Sequence, residues 1–331
     1  MKHSTRILIG TLATLALGGC APGADDLDPV DTQASAVSAQ GLARGRFRPR
    51  RDEEDAPRPA AAAASGTSAT ATSIAYHGGR VMTGTVHAYY IYYGNWTLGT
   101  ASSSTNVILE DFARSVGGSS YYAINRTYPQ TVNGAREYVS GNVTFGGRYL
   151  RTNTASNIVL SDPDISNIVK ESIDRGALPL DTSGVYFVIA APNVTQAGMC
   201  TDFCGWHDHG TVNGYDLKFS FIGNAGECLD RCAPSQNQSV SPNANVRADA
   251  MVSVIAHELD EAVSDPQLGA WYFNDNGAEN ADRCAWTFGT TYGTSNGGVA
   301  NLRLGSRDFL IQRNWQRNAF NTFEGCTLTY R

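Results

Sequence analysis

The sequence predicts an α+β fold: one mixed domain with a central sheet, a helix that carries a candidate site, and disulfide-stabilised loops. The elements follow in the order strand, helix, strand, helix, strand, loops, helix and strands, which does not match a strict βαβ winding. Residues 75–331 contain no stretch of linker composition, and their length suits one large domain. Six of the seven cysteines occur from position 200 onwards, where they can cross-link loops.

Residues 1–20 are typical of an export signal. A positively charged start is followed by the apolar stretch Ile7 to Leu17, which is too short to span a bilayer. The stretch ends in Leu17-Gly18-Gly19-Cys20, which resembles a bacterial lipobox and predicts a lipid anchor at Cys20. The alternative is an ordinary signal peptide with a nearby cysteine. Removal of Cys20 leaves six cysteines, an even number suited to disulfides in an oxidising compartment.

Residues 21–74 are predicted to form a disordered tether. They contain an arginine patch at residues 44–51, an acidic run at 52–55 and then mostly Pro, Ala, Ser and Thr. Few large apolar residues are present, Phe47 being an exception, so the segment cannot bury enough surface to offset chain entropy. The acidic run largely neutralises the arginine patch, and the net charge of −6 argues against nucleic acid as a partner. Membrane contact is expected only through Cys20.

The first half of the domain supplies the predicted sheet and two helices. A core strand is expected over Gly84 to Tyr93, which is dense in β-branched and aromatic residues. Apolar residues at helical spacing predict a helix over Asn106 to Val116, ended by two glycines. A further strand is expected over Val139 to Phe145. A second amphipathic helix follows over Ile165 to Arg175, and the apolar run Val185 to Ala191 is typical of a fully buried strand.

The second half places the candidate site on a helix between irregular segments. Leu217 to Ile222 is strand-like, and a helix is expected from about Asn245 or Arg247 to Ser264, before Pro266. Gly269 to Arg331 is expected to form irregular strands and loops that cover the site. The helix should direct its apolar residues to the core and its ionisable residues to the other side. The core residues are Val252, Ile255, Leu259 and Ala262, and the ionisable ones are His257 and Glu261, with Asp260 farther out.

The segment His257-Glu258-Leu259-Asp260-Glu261 is a variant of the H-E-x-x-H zinc helix. Residues four apart share a helix face, so His257 and Glu261 point the same way with Glu258 beside them. Glu279 follows Glu261 by eighteen residues, a spacing similar to that of the third ligand in thermolysin-type zincins, and Asp282 comes one turn later. This pattern predicts a zincin-like domain.

We therefore expect His257, Glu261 and Glu279 to hold a divalent metal, with Glu258 as the general base. Asp282 would orient a ligand or replace one. Zn²⁺ is the first expectation, with Ca²⁺ or Mn²⁺ as alternatives, since glutamate in place of the second histidine makes the site harder and more anionic. The alternative is a set of solvated acidic residues paired with arginines on the helix surface.

His207-Asp208-His209 is a second candidate site. Two histidines spaced by one residue can share a metal on a strand and could supply the missing imidazole to the His257 site. The alternative is a disulfide-stabilised surface loop. Zinc ligation by the two Cys-x3-Cys pairs is less expected than disulfides in an exported chain. Of fifteen pairings open to six cysteines, we expect Cys200–Cys204, Cys228–Cys232 and Cys284–Cys326.

Residues 75–331 contain an ordered series of short motifs. The motifs are Tyr76-His77-Gly78-Gly79, the Tyr-rich strand ending Tyr93-Gly94, Asp111-Phe112 with Ser115, Phe203-Cys204-Gly205-Trp206-His207, Gly223-Asn224, Cys228-x3-Cys232-Ala233-Pro234, Asn243, Asp249-Ala250-Met251 and Cys284. This series resembles the EXORDIUM (phosphate-induced protein) family. The resemblance implies secretion, a single disulfide-bearing domain and a role at the cell exterior, which in plants is linked to growth and cell-wall responses. The lipobox and the H-E-x-x-E helix suggest a bacterial-type member.

Together these features predict an exported protein with a zincin-like metal site that acts as a metal-dependent hydrolase. Peptidase action on extracellular protein is the main expectation. The alternative is a non-catalytic surface protein that binds cell-wall polysaccharide or a protein partner, with a structural metal or none.

Overall fold

A computed structural model describes residues 46–47, 73–97 and 103–331. The predicted signal peptide, Cys20 and most of the predicted tether lie outside these residues. Within the described ranges, no helix combines the length and apolar character needed to cross a membrane.

A six-stranded mixed sheet lies at the centre of the domain. Its strands are β1 (Arg46–Phe47), β3 (Val86–Gly94), β6 (Val143–Thr152), β8 (Gly184–Ala190), β10 (Gly205–Val212) and β11 (Tyr215–Ile222). They lie in the order β1-β10-β11-β8-β3-β6. The neighbours β6, β3, β8 and β11 are parallel, whereas β10 is antiparallel to β11 and β1 is antiparallel to β10. The expected α+β class with a central sheet is thus confirmed.

Short paired strands surround this sheet, most of them in the C-terminal region that was expected to be irregular. The pairs are β2 (Ala75–Tyr76) with β12 (Trp271–Tyr272), β4 (Pro129–Val132) with β5 (Ala135–Tyr138), β7 (Ile158–Leu160) with β9 (Val194–Gln196), β13 (Tyr292–Gly293) with β14 (Val299–Ala300), β15 (Leu302–Leu304) with β16 (Arg307–Phe309), and β17 (Asn314–Gln316) with β18 (Gly325–Thr327).

Helices cover both faces of the sheet, which explains why its inner strands are apolar throughout. Alternate residues of a strand point to opposite faces: Tyr90 and Tyr92 pack in one core cluster, and Tyr89 and Ile91 pack in the other. All seven residues of β8 are buried. The helices are α1 (Ser103–Val116), α2 (Asp162–Asp174), α3 (Leu229–Cys232) and α4 (Val246–Ser264), with 3-10 turns at Tyr122–Thr127, Ala225–Glu227, Ser235–Asn237 and Asp282–Cys284.

Helix α4 is the central element of one core cluster. The Asn245 side chain caps its start by accepting a hydrogen bond from the backbone amide of Ala248, and Pro266 follows its end. Every residue from Arg247 to Ser264 is buried, so the alternative of solvated acidic residues on the helix surface is wrong. Asp260 in particular is 1% exposed rather than farther out. The ionisable residues of α4 are therefore inside the protein.

Two strand expectations need correction. The strand expected over Val139 to Phe145 begins only at Val143, because the preceding residues turn between β5 and β6 and Val139 packs into the core from that turn. The loop considered for His207 to His209 is instead the middle of strand β10. Polar residues are accommodated there because the side chain of His207 points into the protein and that of His209 is partly exposed.

Two residues of the segment predicted as a tether belong to the sheet. Arg46 and Phe47 pair with Trp206 and Gly205 at the edge of β10, and the amide of Cys204 donates to the carbonyl of Phe47 at 2.7 Å. Phe47 is 0% exposed. The chain is therefore packed against the domain at Phe47.

Three disulfides cross-link the second half of the domain. They join Cys200 to Cys228, Cys204 to Cys232, and Cys284 to Cys326. The third pairing is confirmed, but the two expected pairings within each Cys-x3-Cys motif are wrong. Cys228 caps the start of α3 and Cys232 ends it, so both lie on one side of a single turn and face the loop that carries the other two cysteines.

The crossed pairing predicts a specific disulfide map. Chymotrypsin cleaves after Phe203 and trypsin after Arg231, which separates the two cysteines of each motif. Mass spectrometry of such a digest under non-reducing, acidic conditions should show the Cys200 peptide linked to the Cys228 peptide, and the Cys204 peptide linked to the Cys232 peptide. A link between the Cys200 and Cys204 peptides would contradict the structure.

Candidate metal centre

Three segments of the chain bring ionisable side chains to one buried point. Helix α4 contributes His257, Glu258 and Glu261, strand β10 contributes His207, and the segment around the 3-10 turn Asp282–Cys284 contributes carboxylates. Strand and helix pack closely because β10 begins with a glycine. A Cβ at Gly205 would lie 2.6 Å from Val254 Cγ1 and 3.1 Å from Glu258 Oε1, so a larger residue would push the strand away.

The His257 ring is fixed between an amide and two carboxylates. Its Nδ1 lies 2.7 Å from Gln312 Nε2. Its Nε2 lies 2.9 Å from Glu261 Oε1 and 3.5 Å from Asp282 Oδ1. Glu261 Oε1 also accepts a hydrogen bond from the backbone amide of Asp282 at 3.1 Å. The ring nitrogen suited to metal ligation is therefore directed at two carboxylates.

The His207 ring lies among three glutamates at distances too long for strong hydrogen bonds. Its Nδ1 is 3.5 Å from Glu258 Oε2 and 3.5 Å from Glu261 Oε2. Its Nε2 is 3.6 Å from Glu279 Oε2. Neither ring nitrogen makes a hydrogen bond within the described part of the chain. Because the two ring nitrogens point to different sides of the ring, Glu258 and Glu261 face one side of His207 and Glu279 faces the other.

The cluster concentrates buried polar atoms that lack hydrogen bonds. His257, Glu258, Glu261 and Glu279 are 0% exposed and His207 is 2% exposed. A buried polar atom without a partner costs about 1–3 kcal/mol, so native proteins contain few of them. Among the described residues, the unbonded atoms at this point are both ring nitrogens of His207, His257 Nε2, both carboxylate oxygens of Glu258 and of Glu279, Glu261 Oε2 and Asp265 Oδ2.

Both imidazoles are held in the charged form by the carboxylates around them. Burial alone lowers the pKa of His207, but the nearby carboxylates of Glu258 and Glu261 raise it to about 10. The pKa of His257 is likewise lowered by burial and raised well above its ordinary value, chiefly by Glu261. Burial raises the pKa of Glu261, but the attraction of the two imidazoles outweighs burial and holds it at about 2.

The remaining carboxyl groups carry more negative charge than the imidazoles can balance. Burial raises the pKa of Glu258 to about 7. Burial also raises the pKa of Glu279 well above its ordinary value, and repulsion by Glu261 and Asp265 adds to the rise. The cluster has five carboxyl groups, counting Asp282, and two imidazoles. Buried carboxyl groups in this excess must either take up protons or face a cation.

Two sets of three side chains have ligand atoms close enough to share a cation. The sets are His207, Glu258 and Glu261, and His257, Glu261 and Asp282, with the ligand atoms of each set within 4.8 Å of one another. Glu261 belongs to both, with Oε1 beside His257 and Oε2 beside His207. Imidazole nitrogens and carboxylate oxygens together suit Zn²⁺ or Mn²⁺. The six cysteines from Cys200 to Cys326 are disulfide-bonded and offer no thiolate.

The structure brings together most residues that the sequence singled out. His257, Glu258 and Glu261 share one side of α4. Glu279 belongs to the cluster but lies beside His207, whereas Asp282 lies beside His257. Asp282, rather than the expected Glu279, is therefore the carboxylate that lies beside His257.

The two histidines of β10 point to the same face of the strand, because they are two residues apart, but His207 is buried whereas His209 is partly exposed. His207 enters the cluster. His209 does not, since its Nδ1 lies 2.6 Å from Asp216 Oδ1 in a partly exposed pair. His209 is therefore no alternative ligand in this arrangement, and it offers a matched control for His207.

Three residues at the site were missed by the sequence argument. Asp265 follows α4 and accepts hydrogen bonds from the amides of Gly269 and Ala270, both at 2.6 Å. Its place before Pro266 was a usable signal. Phe47 was visible as the large apolar residue of a polar segment. Gln312, which holds the His257 ring, had no signal in the sequence.

Asp260 anchors α4 to the domain through contacts outside the cluster. Its carboxylate accepts hydrogen bonds from Tyr121 Oη and Asn125 Nδ2, both at 2.6 Å. Burial nevertheless raises the pKa of Asp260 to about 7. The ionised form is thus held at a cost in stability.

Comparison with known proteins places the chain in a family. The model of the phosphate-induced protein 1 conserved region matches residues 74–308, which include every residue of the cluster from His207 to Asp282. No solved structure matches the chain.

Three plant proteins are similar to the chain over most of their length. Protein EXORDIUM-like 3 of Arabidopsis thaliana is 27% identical over 274 residues, covering 73% of this chain and 80% of that protein. Protein EXORDIUM-like 5 of the same plant is 26% identical over 279 residues, covering 74% and 76%. Protein EXORDIUM-like 1 is 24% identical over 241 residues, covering 66% and 75%.

The buried Asp260 gives the metal-free protein a testable pH dependence. An acid whose pKa is higher in the folded than in the unfolded state takes up a proton on folding, so stability falls as pH rises from about 4 to about 7. In a chelator, the wild type should lose about 2–3 kcal/mol more unfolding free energy than Asp260→Asn between pH 5 and pH 8. Urea denaturation measures this difference, and equal slopes for the two proteins would contradict the assignment.

Proposed function

The chain belongs to the phosphate-induced protein 1 family, and we propose that this member is an exported protein that binds a divalent metal ion in the buried cluster. We further propose that the metal site hydrolyses peptide bonds in extracellular protein. Three disulfides are consistent with an oxidising compartment outside the cytoplasm. Export through the segment 1–20 and a lipid anchor at Cys20 are parts of the same proposal.

One observation carries the metal proposal. His207 Nδ1 and Glu261 Oε2 lie 3.5 Å apart and are buried without hydrogen bonds in the described structure, and His257 Nε2 faces the other oxygen of Glu261. A single mismatched group could reflect strain, but these atoms meet at Glu261, in a cluster with more carboxyl groups than imidazoles. A cation held there would contact His207 Nδ1 and Glu261 and offset the excess charge.

The proposed ligand set is centred on His207, His257 and Glu261. It extends the ligands expected from the sequence by one imidazole, which restores a second histidine to a helix that lacks one. Asp282 and Glu279 supply further carboxylates, beside His257 and His207 respectively. Two imidazoles favour Zn²⁺ or Mn²⁺ over Ca²⁺, which prefers oxygen ligands throughout.

Glu258 is the proposed general base. It follows His257 directly on α4, lies 3.5 Å from His207, and has no hydrogen bond to either carboxylate oxygen within the described residues. A bound metal would supply Lewis acidity and a water of lowered pKa. Glu258 would then accept a proton from that water and deliver it to the leaving amine. Helix α4 against the antiparallel strand β10 is the arrangement that supports a zincin-like interpretation.

A second candidate function is non-catalytic binding of cell-wall polysaccharide or a protein partner, with a structural metal. The observation that favours it is the cover over the cluster. The Phe47 ring lies 4.1 Å from the His257 ring and 4.9 Å from the Trp286 ring. A site closed in this way holds a metal without giving a substrate access, unless the cover moves.

The two histidines of β10 provide a matched test of metal binding. His207→Gln should weaken Zn²⁺ binding at least about 100-fold, since it removes a proposed ligand, whereas His209→Gln should leave affinity within about twofold. Isothermal titration calorimetry on chelator-treated protein measures both affinities. Equal affinities for the two variants, or the absence of stoichiometric binding in the wild type, would contradict the proposal.

Glu258→Gln separates catalysis from metal binding. The variant should keep the metal stoichiometry of the wild type, because Glu258 acts as the base rather than as an essential ligand. Cleavage of a quenched fluorescent peptide mixture should fall by about 10²–10⁴-fold. Glu227→Gln, at a half-exposed glutamate paired with Arg247, serves as the control. Unchanged cleavage in Glu258→Gln would support the non-catalytic alternative, and loss of metal would make Glu258 a ligand.

A further inference from the structure

Phe47, which covers the cluster, comes from a segment whose composition does not predict a place in the core. Phe47 belongs to a polar segment, and residues 48–72 connect it to the start of the domain at Ser73. These residues are mostly Arg, Asp, Glu, Pro, Ala, Ser and Thr, a composition that does not form a core. Yet Phe47 is 0% exposed and belongs to the same core cluster as α4.

The contacts of this segment are those of an added strand. Arg46 and Phe47 pair antiparallel with Trp206 and Gly205, and the Cys204 amide donates to the Phe47 carbonyl at 2.7 Å. Backbone hydrogen bonds to a sheet edge are independent of the side chains of the added strand. The edge of β10 can therefore accept any extended peptide that fits the groove beside it.

The groove accommodates one large aromatic ring. The Phe47 side chain lies tilted on the His257 ring at 4.1 Å and stacked on the Trp286 ring at 4.9 Å. Gly205, the strand partner of Phe47, has no side chain to obstruct the floor, and Glu258 lies next to it. A peptide with an aromatic residue at this register would thus lie directly over the proposed ligand His257 and close to the proposed base.

We propose that Arg46–Phe47 is an internal plug, and that the groove it fills is the binding site for an extended peptide with an aromatic residue over His257. The inference rests on the proposed function, for which it names the peptide class that reaches the metal centre. Displacement of the plug opens the cluster, so the plug keeps the centre closed until a peptide competes for the edge of β10.

Among the described residues, the contacts of the plug are the pairing of Arg46 and Phe47 with β10 and the packing of the Phe47 ring on His257 and Trp286. These are the contacts that break when the plug leaves. Residues 48–72 join the plug covalently to the domain. A covalently joined segment competes at an effective concentration on the order of 1 mM, which suffices to hold a short strand in place.

The test uses full-length mature protein and a fluorescent peptide of residues 43–51, compared with the same peptide carrying alanine for phenylalanine. Fluorescence anisotropy should show that Phe47→Ala binds the phenylalanine peptide at least about tenfold more tightly than the wild type, because the internal competitor is weakened. The alanine peptide, which keeps all the arginines, should bind Phe47→Ala at least about tenfold more weakly. Phe320→Ala, at a half-exposed ring elsewhere, should behave like the wild type.

If Phe47→Ala does not fold, hydrogen exchange on the wild type tests the plug proposal instead. The Cys204 amide donates to the plug, whereas the Gly223 amide donates to the Cys204 carbonyl inside the sheet. Hydrogen exchange should be at least about tenfold faster at Cys204 than at Gly223, because plug opening is local. Exchange of both amides at one rate set by global unfolding would overturn the proposal, as would equal peptide binding by wild type and Phe47→Ala.

Metal content of the same preparations separates this inference from the proposed function. Stoichiometric metal together with no binding of the phenylalanine peptide overturns the plug and leaves the metal proposal standing. Peptide binding without metal supports the peptide-binding groove and contradicts the proposed metal-dependent hydrolase.

Discussion

The enclosure of two imidazoles and five carboxyl groups in the core is the constraint on which the rest of the structure depends. Such groups are costly to bury, and hydrogen bonds do not compensate them here, since His207, Glu258 and Glu279 lack such bonds in the described residues. Within these residues the charges balance only partly, because five carboxyl groups face two imidazoles. Glu261 is the carboxylate that both imidazoles contact. The proposed cation would offset part of this charge and supply a missing contact to His207 and Glu261.

The surrounding fold holds the ligand-bearing segments at fixed distances. Helix α4 is buried along its length, and Tyr121 and Asn125 bind it through Asp260. The Cys204–Cys232 disulfide fixes the start of β10, and the Cys284–Cys326 disulfide fixes the turn that carries Asp282. Helix, strand and turn are thus positioned independently of any metal, which is how a preorganised centre is built.

The sequence predicted the parts of this arrangement that depend on local pattern. The apolar run of β8, the helical spacing of α1 and α2, and the His257–Glu261 pair on α4 all follow from periodicity. Contacts between distant segments carry no such signal. The entry of His207 but not His209, the exchange of Glu279 and Asp282 around His257, and the crossed disulfides depend on how β10 and α3 pack. The position of Phe47 depends on a two-residue strand within a polar segment, for which periodicity gives no evidence.

The proposed metal centre and the proposed plug meet at Phe47. Phe47 covers His257, so the metal proposal and the plug proposal share one boundary. The most direct measurement of the central claim is an anomalous diffraction map from crystals of the mature protein at the zinc or manganese absorption edge. We expect a peak within about 2.0–2.3 Å of a ring nitrogen of His257 or His207 and of a Glu261 oxygen. A map without a peak, with ordered water hydrogen-bonded to these groups instead, would contradict the account.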